Sequence, residues 1–353
     1  MTMAIHIVTE PAYAASTWCT GISNGILQEA KNKKTECFFQ KDRFASQPAD
    51  LIALIGNSPR WILDTLNQMQ AEHDAHVILI SNTPYTLSVN SIGTDLFRSM
   101  LDVLSYLTED CGRKAIAFYG VNASSTTDLM KLRGFGDSRH VYYNNSDLRS
   151  CFDDFYRNIN HYDAVVCAND YAAISLLQNL KETAPSQIDR LFVVSFSNLH
   201  IAQTFTPSIT SVALDYCEYG RTTVNLYRML LKNPQISTGI LNIKSKIIPR
   251  DTTRKIPFTN STYPTDLSDI KESDFFEDEE IKGLFLLETL FTMMNETDEK
   301  ILRLLSAGAS YEQIAQDLFM SVNGIKYRLN KLLESSGIRN RKELLSLYRH
   351  YFG

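Results

Sequence analysis

Six short, predominantly apolar runs, at residues 5–8, 51–55, 77–80, 115–119, 164–167 and 191–196, recur through the first 255 residues. Each ends in polar residues and is followed by an amphipathic helical stretch. A strand that alternates apolar with polar side chains has one wet face, whereas a strand apolar throughout has none. The pattern therefore predicts an α/β fold of doubly wound parallel sheets covered by helices on both faces. At 353 residues and 44% hydrophobic content, the chain is long enough for one large domain of this kind and a second, small one.

Ligands of open parallel sheets bind beyond the C-terminal ends of the strands. Those ends hold Glu10, Tyr13 and Trp18, then Asn57, Ser58, Ser81, Asn82 and Asn122, and finally Asn169, Asp170, Ser197 and Asn198. Asparagine and aspartate suit a polyol because each hydroxyl both donates and accepts, and Tyr13 or Trp18 can stack on the apolar face of a sugar ring. The same residue types also make turns and helix caps. The functional reading therefore rests most on Asn169 and Asp170, at the mouth of the most apolar strand.

The last 58 residues obey different rules. Thr297 is placed to cap a helix that stops at Gly308. Ser310 with Gln313 makes a capping box, Ser321 caps a helix from 322 to about 334 that Gly337 ends, and Asn340 with Glu343 starts a fourth. If Ile325, Leu329 and Leu332 face a small core, helical periodicity turns Asn323, Tyr327 and Asn330 outward, flanked by Lys326 and Lys331. Amides, lysines and an aromatic on one face suit base edges in a major groove, with Arg328 nearer the core flank and better matched to phosphate or packing. From Ser321 onward seven basic residues face two acidic ones, a net of +5 in a chain whose total is −5. Positive potential is thus concentrated where a phosphate backbone would lie.

The stretch LLSAGASYEQIAQDLFMSVNGIK, closing with GIRNRKEL, resembles the LuxR-type C-terminal helix-turn-helix. The resemblance implies that Ser321 begins the recognition helix and that Lys326, Tyr327 and Asn330 meet bases. Gly324 and Arg328 depart from the threonine and histidine usual there.

A second resemblance covers residues 3 to 255. DAVVCANDYAAISLLQNLKE, LFVVSFSN, PSITSVALDYCEYGRTTVNLYRMLL and IIPRDTT are similar, in order and spacing, to the effector-binding core of the LacI/GalR regulators and of periplasmic sugar-binding proteins. It implies two lobes joined by strand crossovers, a small molecule in the cleft and a core that commonly dimerises. Asn169 and Asp170 match that family's ligand-contacting pair. Ser197 replaces a usual aspartate and Lys131 a usual arginine, so Lys131 could still meet an anionic ligand as a point charge but without a bidentate fork. That family's reader is N-terminal, whereas here the chain opens on the first strand and the reader is expected at the other end.

The expected organisation is a two-lobed effector domain over 1–258, an acidic linker over 259–280, a connecting or dimerisation helix over 281–295 and a helix-turn-helix over 296–353. The 281–295 stripe either pairs with a copy in a second subunit or packs on the core. Six scattered cysteines without a CxxC pair read as reduced packing residues. No signal peptide or long apolar span is visible, which predicts a cytoplasmic protein. Nucleotide-loop, Rossmann and nucleophile-elbow motifs are absent, and His73 and His76 read as surface residues rather than metal ligands. The expectation is a ligand-responsive regulator, not an enzyme, with no cofactor or metal; its partners are double-stranded DNA, a small-molecule effector and a second copy of itself. The alternatives are a doubly wound enzyme with a DNA tether and a constitutive DNA-binding dimer.

Overall fold

A computed structural model describes residues 4–40, 50–72, 76–82, 89–259 and 278–352. The first lobe starts with β1 (Ala4–Thr9), α1 (Thr17–Asn32), β2 (Glu36–Gln40), β3 (Leu51–Ile55), α2 (Pro59–Glu72), β4 (His76–Ile80) and β5 (Asn90–Gly93). The chain then crosses over to α3 (Leu96–Ser105), β6 (Ile116–Val121), α4 (Thr126–Phe135), β7 (Val141–Tyr143), α5 (Leu148–Tyr156), β8 (Ala164–Cys167) and α6 (Asp170–Thr183). It continues through α7 (Ser186–Arg190), β9 (Phe192–Ser197), α8 (His200–Thr204) and β10 (Thr210–Ala213). A second crossing delivers α9 (Tyr216–Lys232) and β11 (Ile240–Asn242) to the first lobe, and a third brings β12 (Lys246–Ile248) to the second.

Each lobe is a six-stranded sheet, ordered β11-β5-β4-β3-β1-β2 and β12-β10-β9-β8-β6-β7. All pairings are parallel except β10 with β12. This matches the two-lobed doubly wound expectation. The apolar runs are the central strands, and β3 and β8 are buried at every position. Close packing of α1 on α9 ties the returning chain to the first lobe. A Cβ on Gly25 would lie 2.0 Å from the Cys217 carbonyl oxygen, and one on Gly220 would lie 2.1 Å from that of Ile22. Both glycines are required by contact rather than by conformation.

Four helices follow α10 (Glu279–Met293): α11 (Glu296–Ser306), α12 (Tyr311–Asp317), α13 (Val322–Ser336) and α14 (Arg341–Phe352). The expected punctuation holds with one correction. Asn295, not Thr297, caps α11, forming a capping box with Asp298. Ser310 and Gln313 cap α12 reciprocally, the Ser321 hydroxyl accepts from the Gly324 N–H at 3.0 Å, and Gly337 closes α13 in the left-handed region. At Asn340 the side chain accepts from the Glu343 N–H, but the Glu343 carboxylate takes the Arg339 N–H, so that box is half formed.

Within the chain the 281–295 stripe packs on the core. Ile281, Leu284, Leu287 and Leu290 are fully buried in one continuous core with Ile174 and Leu177 of the second lobe and Ile325 and Leu329 of α13. The proposed linker lies almost entirely in 260–277, outside the described residues, as does His73. His76 packs edge-on against Tyr227. All six cysteines are unpaired, and burial pushes the Cys19 and Cys151 thiols up to about 12.

Candidate effector cleft and DNA-facing helix

A cleft of about 560 Å³ opens between the lobes at the C-terminal strand ends. That volume suits a small organic ligand. The first-lobe wall is aromatic: Tyr13 and Trp18 meet edge-to-face at 5.6 Å, and Trp61 stands opposite Gly56, where a Cβ would fall 2.5 Å from its ring. These are the chain's two tryptophans, and both are on this wall.

The polar residues there are fixed by hydrogen bonds. Glu10 accepts from the Asn57 and Ser58 N–H groups at 2.9 and 3.1 Å. Asn57 Oδ1 accepts from Ser81 Oγ, and Asn82 Oδ1 accepts from Thr94 N and the Tyr219 hydroxyl. A side chain held this way presents its remaining polar atoms in a set direction.

On the second-lobe wall, Asn169 lines the cleft and caps α6, its Oδ1 accepting from Ala172 N at 2.9 Å. The capping and cleft readings of that residue thus hold together. Lys131 also lines the cleft, but its charge is matched. The ammonium donates to Asp128 Oδ1 at 2.6 Å and to the Ala168 carbonyl at 2.5 Å, and it sits 5.1 Å from the Phe196 ring centroid. Both side chains of the pair are 5% exposed.

Of the nine expected ligand residues, Tyr13, Trp18, Asn82, Lys131, Asn169 and Ser197 line the cleft, and three do not. Asp170 is completely buried. Its Oδ1 accepts from the Ser195 and Ser211 hydroxyls and its Oδ2 from Leu199 N at 2.6 Å, so both carboxyl oxygens are engaged within the second lobe and the residue is not on the cleft wall. Burial pushes its carboxyl up to about 6, opposed by those same hydrogen bonds. Asn122 shapes the turn before α4, accepting from Ser124 N. Asn198 receives Arg250 and donates its N–H to Ser211. Ser197 and Asn198 both have positive φ, 105° and 54°, which strains non-glycine backbone where β9 meets the cleft.

Sequence reasoning missed Trp61, Tyr171 and Tyr216, and it missed a third wall. Phe285, Glu288 and Thr289 of α10 also line the cleft. Glu288 is 3% exposed and accepts from the N–H groups of His200 at 2.8 Å and Ile201 at 2.5 Å. Burial pushes its carboxyl up to about 7 against the pull of those two amides.

On α13, Ile325, Leu329 and Leu332 are buried, whereas Asn323, Lys326, Tyr327, Asn330 and Lys331 are exposed, as helical periodicity predicts. Arg328 is instead held inside the module, 2.7 Å from Asp298 of α11. That geometry supports packing over phosphate contact. Phe319, in the turn before α13, is 97% exposed at positive φ. Tyr311 takes Lys326 and Arg341 near its ring face.

A family profile for a periplasmic binding protein-like domain matches residues 112–253, and one for a winged helix-turn-helix DNA-binding domain matches 294–336. The two matched regions are thus similar to a periplasmic binding protein-like domain and, on its C-terminal side, to a helix-turn-helix. No strand follows residue 293 among the described residues, so the helices occur there without a wing.

Among proteins of known role, the chain is 19% identical over 206 residues to the transcriptional repressor PurR of Histophilus somni, covering 55% of this chain and 62% of that one. It is 31% identical over 85 residues to the regulator GalR of Lacticaseibacillus casei, 24% of this chain and 26% of that one. It therefore spans less than two thirds of these relatives. The fold is shared with the transcription regulator CcpA of Lactococcus lactis, with a TM-score of 0.58, 18% identity and coverage of 72% and 100%. A CcpA regulator of Weissella paramesenteroides with bound sucrose gives 0.55, 17%, 72% and 100%. The regulator CelR in complex with cellobiose gives 0.57, 17%, 71% and 84%. Among the described residues no helix is long and apolar enough to cross a membrane, and no cluster of three or more acidic, histidine or cysteine side chains could hold a metal.

Proposed function

We propose that this protein is a ligand-responsive transcriptional regulator: an uncharged polar metabolite of the sugar class enters the interlobe cleft and alters sequence-specific binding of duplex DNA by α13. One observation carries the reading. An aromatic and amide-lined cleft of ligand size and an exposed helix face of Asn323, Lys326, Tyr327, Asn330 and Lys331 belong to the same chain. An uncharged ligand is favoured over an anion because Asp128 already neutralises Lys131. The sugars named with the structural neighbours support the same class.

The four-helix layout with its capped turns supports a LuxR-type module. Two copies, acting as a homodimer in the cytoplasm, would set their α13 helices about one DNA turn apart. The relatives are repressors and regulators, which supports a binding rather than a catalytic role.

The test has two arms on the full chain. Cellobiose, sucrose, glucose, adenosine and guanosine are titrated while the emission of Trp18 and Trp61 is followed, and duplexes are selected from a random pool. Saturable binding of one compound and salt-sensitive retention of a consensus duplex are expected. A flat emission response to every compound refutes the sensor half, and failure to retain any duplex at low salt refutes the reader half.

A further inference from the structure

We infer that α10 completes the effector site and transmits its state, so that the helix leading into the DNA-binding module supplies one wall of the cleft and passes its occupancy on. The inference deepens the function proposed above and rests on it. Three observations converge.

The first is position. Phe285, Glu288 and Thr289 share one stripe of α10, at helical spacing, and all three lie on the cleft. On the opposite side Gly283 meets Leu347 of α14, where a Cβ would come within 2.8 Å of Cδ2, and on the flank Leu286 lies against Gly337 at the end of α13. One helix therefore touches both the ligand space and the scaffold of the recognition helix.

The second is a shared grip. Three successive backbone N–H groups start α8, those of Leu199, His200 and Ile201. Asp170, next to the cleft residue Asn169, takes the first, and Glu288 of α10 takes the other two. Two buried carboxyl groups, one from the second lobe and one from α10, thus hold one short loop that begins at the strained Ser197 and Asn198. A ligand that pulls on Ser197 or Asn169 shifts this loop. Because each of the two carboxyl oxygens of Glu288 is hydrogen-bonded to a backbone N–H of this loop, the shift is passed to α10.

The third is continuity of packing. α10 is buried in a single core that runs from the second lobe into the DNA-binding helices. Dense interiors transmit displacement rather than absorbing it. Glu288 is accordingly a positioning residue for coupling, and Phe285 and Thr289 help to set which ligand fits.

The experiment exploits the fact that the chain's two tryptophans, Trp18 and Trp61, both lie on the first-lobe wall and none lies in the DNA-binding module. Duplex bound at α13 cannot shield them directly. Acrylamide quenching of the full chain is measured with and without a saturating duplex from the random-pool selection. We expect at least a 1.5-fold change in the quenching constant for the wild type and none for Glu288→Gln, which offers one acceptor oxygen to two amides. An unchanged constant in the wild type, or an undiminished response in Glu288→Gln, overturns the transmission.

The wall is tested without DNA. Thr289→Lys places a cation in the cleft and should raise quenching by iodide at least 1.5-fold while leaving quenching by acrylamide unchanged. An unaltered iodide response overturns the third wall even if Glu288→Gln does not fold. Retention of no duplex at all counts against the proposed DNA reading, and with it the transmission, while the iodide result still decides whether α10 faces the cleft.

Discussion

Asp128→Asn tests the cleft chemistry most sharply. The Asp128–Lys131 pair is 2.6 Å long with both side chains 5% exposed, and Asp128 Oδ2 also accepts from Asn122 N at 3.0 Å. Neutralising the carboxylate leaves the ammonium with the Ala168 carbonyl and the Phe196 face. An uncompensated buried charge costs about 3–5 kcal/mol, a large share of the ~5–15 kcal/mol that typically separates native from unfolded domains. Lys131→Met should cost a similar amount by stranding the carboxylate. Replacing both partners removes both charges and should cost far less than the sum of the single changes, since buried pairs are often exchanged for apolar groups near neutrality. Urea unfolding of the four proteins at constant pH, followed by circular dichroism, gives the coupling energy. An additive double variant, or an Asp128→Asn loss below about 1 kcal/mol, would refute the claim that Lys131 is electrostatically consumed, and with it the preference for an uncharged ligand.

Further outcomes follow from other contacts. Lys326→Ala should weaken duplex binding across sequences and lower the slope of log affinity against log salt by about 1, whereas Asn330→Ala should relax sequence preference by about 1–3 kcal/mol; anisotropy titrations at several salt concentrations separate the two. Arg328→Ala should lower the melting temperature by removing the contact to Asp298 yet leave the salt slope unchanged; a reduced slope would assign Arg328 to phosphate after all. The folded Glu288 carboxyl, raised from 4.5 to about 7, holds its proton to higher pH than the unfolded chain does. Its contribution is therefore full below pH 4.5 and lost as pH rises through 7, an amount of about 3 kcal/mol. Melting at pH 5 and pH 8 should show a smaller difference for Glu288→Gln than for wild type, and equal differences would count against it. Gly220→Ala should destabilise strongly through the clash with the Ile22 carbonyl, read as a lower urea midpoint.

The sequence made visible what depends on local order. The six apolar runs became inner strands because burial on both faces favours apolar side chains, most completely at β3 and β8. The edges were less legible. β5 reads NSIG and β11 ILN, too short and too mixed to stand out, and both exist because a neighbour offers hydrogen bonds. Caps read well at Ser310 and Ser321, whereas the serine caps of α1 and α4, Ser16 and Ser125, went unnoticed. At α11, Asn295 was overlooked because Thr297 offered an equally plausible oxygen two residues later.

Asp170 was misjudged for a different reason. Its place after the β8 run is that of a ligand residue, but Ser195 and Ser211, which arrive from β9 and β10, enclose it. The α10 wall was invisible, since nothing in an apolar stripe says which other element it will meet. Cleft membership is a long-range property, and the sequence carries it only through the fold.

The aromatic seam at the end of the chain has a practical meaning. Phe352 packs on Phe205, Phe291 and Tyr348, fastening the final helix to the residue that follows α8 of the second lobe as well as to α10. The reader is consequently no detachable cassette. A chimaera that transplanted residues 296–352 onto another sensor would expose greasy scars on donor and recipient alike, and a useful cut would have to carry α10 along together with a replacement for the surface it leaves behind.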